Sequence, residues 1–247
     1  RVVRAETGHL NATASGTGLL VKNDDHYETI TFDADDVWVA RFPGEGGNSI
    51  TVSLCAANST AFDAWDYKNL FDTVPGTSAY ADARGSATDE VHIVVVDADG
   101  TWTGQAGTVL ETFAYLSQAS DARAEDGTNN YYVDVINSQS NYIRWGNHNS
   151  SLSEAGVDAG GTATYTAPTA ALEVTLSGGT DDHAVTVAEL ATAYDFFADA
   201  ETLDVNLLIG GESPSGADGV THANNIIAIA EGRKDCVAFV SPPIDAT

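Results

Sequence analysis

Thr186-Val187-Ala188-Glu189-Leu190, with the apolar run Leu203-Asp204-Val205-Asn206-Leu207-Leu208-Ile209 that follows it, decides how this chain is read. Thr186 and Glu189 stand at the spacing of a capping box, in which the threonine hydroxyl covers an amide of the first turn and the glutamate reaches back to the cap. Leu190, Ala193, Tyr194 and Phe197 then recur at helical spacing on one face. Residues 203–209, closed by Gly210-Gly211, read as a strand covered on both faces. Residues 222–231 carry a second helical pattern, with Ile226, Ile229 and Ala230 on its apolar side and Gly232 as its C-cap. Residues 236–240 form the next buried strand, stopped by Pro242-Pro243. Together with a strand at 172–176, the order over 172–243 is β-α-β-α-β, which predicts parallel strands and a two-layer sandwich of sheet and helices.

Upstream of this segment the chain reads as β-rich, so the expected class is α/β in the broad, mixed α+β sense. Val2-Val3-Arg4-Ala5 has the pattern of a short strand, expected in one sheet with 203–209 and 236–240. Residues 5–26 are rich in Gly, Ser, Thr and Ala and read as a loop. Tyr27-Glu28-Thr29-Ile30-Thr31-Phe32 alternates with period two and predicts a half-buried strand. Residues 37–42 are extended, 43–48 a turn and 49–55 a strand. Residues 57–88 are polar and irregular and predict a long ordered loop with one helical turn. Val91 to Val96, followed by Asp97-Ala98-Asp99-Gly100, signals a hairpin. Residues 109–116 favour a strand and 131–138 a helix. The whole, 1–247, reads as a single domain.

Composition removes several function classes. The 247 residues hold 36 acidic against 10 basic side chains, a formal net charge of −26. Such a surface repels phosphate backbones and anionic membranes, so neither nucleic acid binding nor membrane insertion is expected. No apolar run nears the ~20 residues of a membrane helix. Cys55 and Cys236 lie in apolar, strand-like runs and are expected as buried free thiols. The N-x-[ST] triplets at Asn11, Asn58 and Asn149 are matched by chance in so Asn- and Thr-rich a chain. The chain has no Met and opens on Arg1, which is expected of a piece of a longer parent.

No catalytic or metal site is expected from the candidate residues. Gly211-Glu212-Ser213-Pro214-Ser215 approaches a nucleophile elbow, but Ser215 stands where the final Gly belongs. The Gly-rich turns lack the lysine and the spacing of phosphate-binding loops. Asp33, Asp35 and Asp36, or Asp97 with Asp99, have the chemistry to gather a hard cation, but neither set has the spacing of a calcium loop. Asp181-Asp182-His183 reads as a surface turn and His148 as a loop residue without a partner nucleophile. No catalytic, cofactor-binding or metal residue is therefore assigned, and no cofactor.

The C-terminal third, Thr186-Val187-Ala188-Glu189-Leu190, Tyr194-Asp195-Phe196-Phe197-Ala198-Asp199, Asp204-Val205-Asn206-Leu207-Leu208-Ile209 and Arg233-Lys234-Asp235-Cys236-Val237-Ala238-Phe239-Val240-Ser241-Pro242-Pro243, resembles a stretch of contractile phage tail sheath proteins. Residues 37–42 with Pro43-Gly44-Glu45-Gly46-Gly47-Asn48-Ser49, and Val2-Val3-Arg4-Ala5, look like further landmarks of that family in the same order. Residues 57–170 match loosely. The resemblance implies a middle, outer portion of a sheath subunit, with the twenty-odd residues after the first strand replacing an extra β domain, and with the parent's inner domain and stitching arms outside this chain.

What the resemblance implies about function is mechanical. A sheath shortens and widens to drive the tail tube through the host envelope. The implied partners are other sheath subunits, the tube, the baseplate and the tail terminator, and the implied location is the virion tail after assembly in the host cytoplasm. The isolated piece is expected to be monomeric. Two competitors are an acidic, surface-exposed adhesion module of a salt-adapted organism and an α/β hydrolase. The first leaves the ordered landmarks unexplained, and the second lacks a nucleophile with a histidine nearby.

Overall fold

The computed structural model describes residues 8–153, 155–157 and 164–242. The chain, expected as one domain, divides into two compact units. The larger is His9–Asp181, and the smaller holds Gly8 and the described residues from Asp182 onward. The expected strand at Val2 to Ala5 lies outside the described residues.

In chain order the larger unit contains α1 (Asp24–Thr29), β1 (Trp38–Ala40), β2 (Ile50–Ala56), α2 (Ser59–Ala64), α3 (Ala79–Asp82), β3 (Glu90–Asp97), β4 (Thr108–Ser117), α4 (Tyr132–Gln139), β5 (Ile143–Trp145) and β6 (Leu172–Thr175), with 3₁₀ turns at Glu45–Ser49 and Lys68–Leu70. Four strands form an antiparallel sheet in the order β4-β3-β2-β6, and β1 pairs with β5 in an antiparallel ribbon. β2 is buried along its whole length, because both faces of the sheet are covered. Val52, Leu54, Ile93 and Val95 pack with Tyr132 and Ile136 of α4 and with Trp38 of β1. On the opposite face Cys55, Val94 and Val96 pack with Ala61 and Trp65. Residues 57–88 are thus a cover built of short helices rather than a long loop, anchored where the Trp65 indole donates to Ser53 Oγ at 2.8 Å.

Three further local readings are corrected. Residues 24–29 are helical where Tyr27 to Phe32 predicted a strand. Asn23 caps the helix by accepting from the His26 amide at 2.7 Å, and Asp24 and Asp25 favour its first turn, so local capping outweighs the alternation. The segment read as a loop after Ala5 is tied in from Leu10 onward. Asn11, Ala12 and Thr13 are fully buried, with Thr13 bridging both Val39 and Ser177. The strand Leu172–Thr175 does not belong to the β-α-β-α-β segment; it pairs antiparallel with β2, Thr51 opposite Thr175 and Leu54 opposite Leu172. Its alternation of half-buried Leu172 and Val174 with exposed Glu173 and Thr175 is that of an edge strand with one covered face.

The smaller unit contains α5 (Val187–Asp195), β7 (Leu207–Ile209), α6 (Gly216–Arg233) and β8 (Val237–Phe239). β7 and β8 pair in parallel, as expected, with Leu207 opposite Val237 and Ile209 opposite Phe239. The predicted capping box opens α5, both of its hydrogen bonds being formed. Helix α6 starts six residues before the expected His222 and runs past Gly232 to Arg233, where Lys234 takes the left-handed turn (φ 64°). Its buried residues Gly219, His222, Ile226, Ile229 and Arg233 are spaced three and four apart, one continuous stripe that outweighs the helix-weakening glycines. Together the two units give a mixed α+β chain.

Candidate interaction surface

The buried ionisable groups come first, because a reactive site needs one with capacity left over. Arg233, whose side chain is 0% exposed, uses all of its donor groups inside the smaller unit. Nε and Nη2 donate to the two Asp235 oxygens at 2.9 Å each, Nη1 donates to the carbonyls of Phe197 and Asp199, and Nη2 also donates to that of Leu203. The planar fork suits this arrangement and a lysine would not reproduce it. The guanidinium thereby ties the end of α6 to the chain between α5 and β7.

Asp97, fully buried at the end of β3, is the corresponding hub of the larger unit. Its carboxylate accepts from Ser49 Oγ (2.6 Å) and from the amides of Gly100, Trp102 and Thr103, and from Thr103 Oγ1. Burial works against its charge, but the hydrogen bonds win and hold the carboxyl down to about 2. Asp89 accepts from the Ser78 amide and hydroxyl and from Ser117 Oγ. His92 stacks on Phe71 with centroids 4.1 Å apart. Its Nε2–H donates to the Thr73 carbonyl, and Nδ1 accepts from the Tyr115 amide at 3.0 Å, which defines the neutral tautomer. Burial lowers its pKa. None of these residues was singled out as a hub in the sequence; the one local signal was Arg233 two residues before Asp235 at a helix end.

The residues considered as sites fall into structural roles. Asp33 and Asp35 are exposed, whereas Asp36 is buried and accepts from the Ser15 amide. No group of three or more metal-ligating side chains is found among the described residues. Ser213 Oγ donates to the Ser241 carbonyl, and Ser215 sits at the N-cap of α6 without a side-chain cap bond. His148 Nε2 bonds the Leu152 carbonyl. Asp181 pairs with His9 at 3.1 Å, and Asp182 accepts from the amides of Gly8 and Ala184. Asn11 and Asn58 are in use internally, Asn11 bridging Ala40 and Val21 and Asn58 capping α2.

Besides the buried Nδ1 of His222, Nε of Arg144 and Nε1 of Trp145, which make no hydrogen bond, the smaller unit leaves apolar surface uncovered. The expectation that both later strands are covered on two faces is corrected. Leu208 and Ala238 face α5 and α6, but Leu207 (57% exposed), Ile209 (65%), Val237 (56%) and Phe239 (54%) present the other face. Among the described residues of the smaller unit, α5 and α6 pack with Leu208 and Ala238 on one face of the pair. Covering these four side chains is worth on the order of 1 kcal/mol each. A parallel sheet with a bare apolar face is an interaction surface by default.

Comparison with known proteins gives this surface a context. No family model matches the chain. It is 35% identical over 99 residues, 40% of its length, to the tail sheath protein of Salmonella phage ViI, of which it covers 14%. It is 41% identical over 73 residues, 28% of its length, to the tail sheath protein of Enterobacteria phage T4, of which it covers 11%. The chain thus spans about one eighth of the length of these relatives. A sheath tail protein from Listeria innocua aligns with 90% of the chain and 31% of its own at 13% identity, but a TM-score of 0.36 is too low to equate the folds. Over these matched stretches the chain is similar to the tail sheath proteins of two phages.

Proposed function

We propose that this chain is part of a structural subunit of a contractile phage tail sheath, working by packing and not by catalysis. The observation that carries the reading is the identity of 35% and 41% to the sheath proteins of two different phages. In this reading residues 1–247 act as one outer portion of the subunit. The assembled sheath surrounds a tail tube between baseplate and terminator, and its shortening and widening drives the tube through the host envelope. Localisation follows: assembly in the host cytoplasm and residence in the virion tail.

The structure supports a mechanical role in one specific way. A sheath that stores energy in its interfaces needs building blocks that keep their shape while contacts between them are exchanged. The hubs at Asp97, Asp89 and Arg233 use their hydrogen-bonding capacity inside a unit, which stiffens each unit. The net charge of −26 limits adhesion to DNA and membrane.

Electron microscopy of the full reading frame containing this chain tests the proposal. Tubes or rings of stacked subunits are expected, with tubes of two lengths and diameters when contraction is triggered. Dispersed particles under conditions in which the full-length protein is folded would overturn it.

A further inference from the structure

The edge strand β4 carries a bulge that one histidine holds in place. Across the β3–β4 ladder Val91 faces Leu116 and Ile93 faces Phe113, so Ala114 and Tyr115 together stand against His92 alone. Tyr115 takes φ 53°, a left-handed backbone that a bulge ordinarily gives to glycine and that a tyrosine adopts only when its surroundings hold it there. Two bonds do so. The Tyr115 amide donates to His92 Nδ1 at 3.0 Å, and the Tyr115 carbonyl accepts from Asn130 Nδ2 at 3.0 Å. The other ring nitrogen, Nε2, donates to the Thr73 carbonyl at 3.0 Å, and the fully buried ring lies flat on Phe71. His92 thus spans from the edge strand to the cover formed by residues 57–88. Its two nitrogens have opposite duties, Nδ1 as acceptor and Nε2 as donor.

We propose that His92 is a proton-operated latch on the β4 bulge: in acid the ring takes a proton from solvent at Nδ1, the hydrogen bond to the Tyr115 amide is lost, and β4 opens locally over residues 114–116 while the sheet behind it stays folded. An N–H at Nδ1 points at the N–H of Tyr115, two donors with no acceptor between them. The Nε2–H bond to Thr73 is kept and gains charge assistance, so the ring stays on the cover and lets go of the strand. The strand is free to respond because β4 ends the order β4-β3-β2-β6 and pairs with β3 alone among the strands of the sheet. The surroundings of the ring are mapped element by element. On β4 the Tyr115 ring meets it edge-on, and on β2 Cys55 lies opposite, its thiol pushed up to about 11. The cover contributes Phe62 and Phe71, with the exposed Asp72 next to Thr73. On β3 itself Glu90 accepts from the Gly76 amide at 2.8 Å, and Asp89 is taken up by Ser78 and Ser117. Burial disfavours the charged ring, so the latch opens below the ordinary histidine value of 6.5. It belongs to the larger unit's own sheet and operates whether or not the chain serves in a sheath.

Amide hydrogen exchange on the intact 247-residue chain tests it, followed residue by residue by NMR from pH 7.5 to pH 4.5 and corrected for the intrinsic rate at each pH. Protection of the Tyr115 amide is expected to fall about tenfold or more across that range, in step with the ring nitrogen shifts that report the proton on Nδ1. Val52 in the central strand β2 is the internal reference and is expected to keep its protection. His92→Gln supplies an acceptor that does not titrate, so Tyr115 protection in that variant is expected to stay level with pH. Tyr115 protection that is unchanged while the wild-type ring takes up its proton would overturn the proposal, and that reading needs no variant. So would a ring still unprotonated at pH 4.5, a parallel loss at Tyr115 and Val52, which is unfolding of the sheet, or the same decline in a folded His92→Gln.

Discussion

Arg233 and Asp235 meet in a two-pronged pair, Nε to Oδ1 and Nη2 to Oδ2, both at 2.9 Å, across the left-handed turn at Lys234. The same guanidinium holds three carbonyls of the preceding segment. Arg233→Lys keeps the charge but loses the fork, so it is expected to lower the melting temperature by several degrees. Asp235→Asn, which leaves the three carbonyl bonds in place, is expected to cost less. Thermal melts of both variants, followed by circular dichroism, check the order; a harmless Arg233→Lys would refute the role.

Asp97 makes the β3–β4 loop acid-sensitive in a defined window. Its folded pKa of about 2 lies below the ordinary carboxylate value of 3.8. The stabilisation is therefore complete above pH 4 and is lost as pH falls through about 2. Asp97→Ala strands the Ser49 hydroxyl and the amides of Gly100, Trp102 and Thr103, and is expected to cost about 2 kcal/mol or more at pH 7. Urea titrations at pH 7 and pH 3 should show that penalty narrowing in acid.

His92 acts over a different range. Its folded pKa is lowered by burial, so the folded state binds fewer protons than the unfolded one below the usual value of 6.5. Stability from this residue is present above pH 6.5 and declines as pH falls below it. Phe62, Phe71 and Tyr115 pack on the ring and Cys55 lies opposite on β2. His92→Phe is expected to flatten the decline between pH 7 and pH 5 while weakening the fold at pH 8, where two hydrogen bonds are lost. Denaturation curves at three pH values decide.

The two thiols are both free and should differ in reactivity. Cys55 is buried and its pKa is pushed up by burial to about 11, which disfavours the thiolate. Cys236 is half-buried, not enclosed as its apolar run suggested. A thiol reagent is expected to modify one site in the native protein, Cys236, and two after denaturation. Fast native labelling of Cys55, mapped by peptide mass, would contradict the packing around it.

Local signals were legible where a short motif decides the backbone. Thr186 with Glu189 predicted the start of α5, and the apolar runs at 203–209 and 236–240 predicted a parallel pair. The reading failed where distant partners decide. Leu172 to Thr175 looked like the first strand of a new segment, but its partner is Thr51 to Leu54. Residues 57–88 read as a long ordered loop with one helical turn because their apolar side chains are spaced by neither period, yet Trp65 and Ala61 cover one face of the sheet. Exposure of Leu207 and Ile209 was illegible too, since an apolar run reads alike whether one face or both are covered. The candidate site residues were legible mainly as exclusions, and the hubs at Asp97 and His92 depend on partners that only the fold brings near.

The pairing of Thr51 with Thr175, whose hydroxyls lie 2.7 Å apart although 124 positions separate them, has a consequence in time. During synthesis β2 emerges early and finds β3 soon afterwards, but its other edge waits for β6, which begins at Leu172, more than a hundred residues after the end of β2 at Ala56. Through that interval a strand that is buried along its whole length in the finished fold stands with one side unpaired, the condition in which nascent chains join the wrong neighbour. The delay sets a limit on how fast the larger unit can be produced in quantity, because its innermost strand is completed by nearly the last residues of that unit to be made.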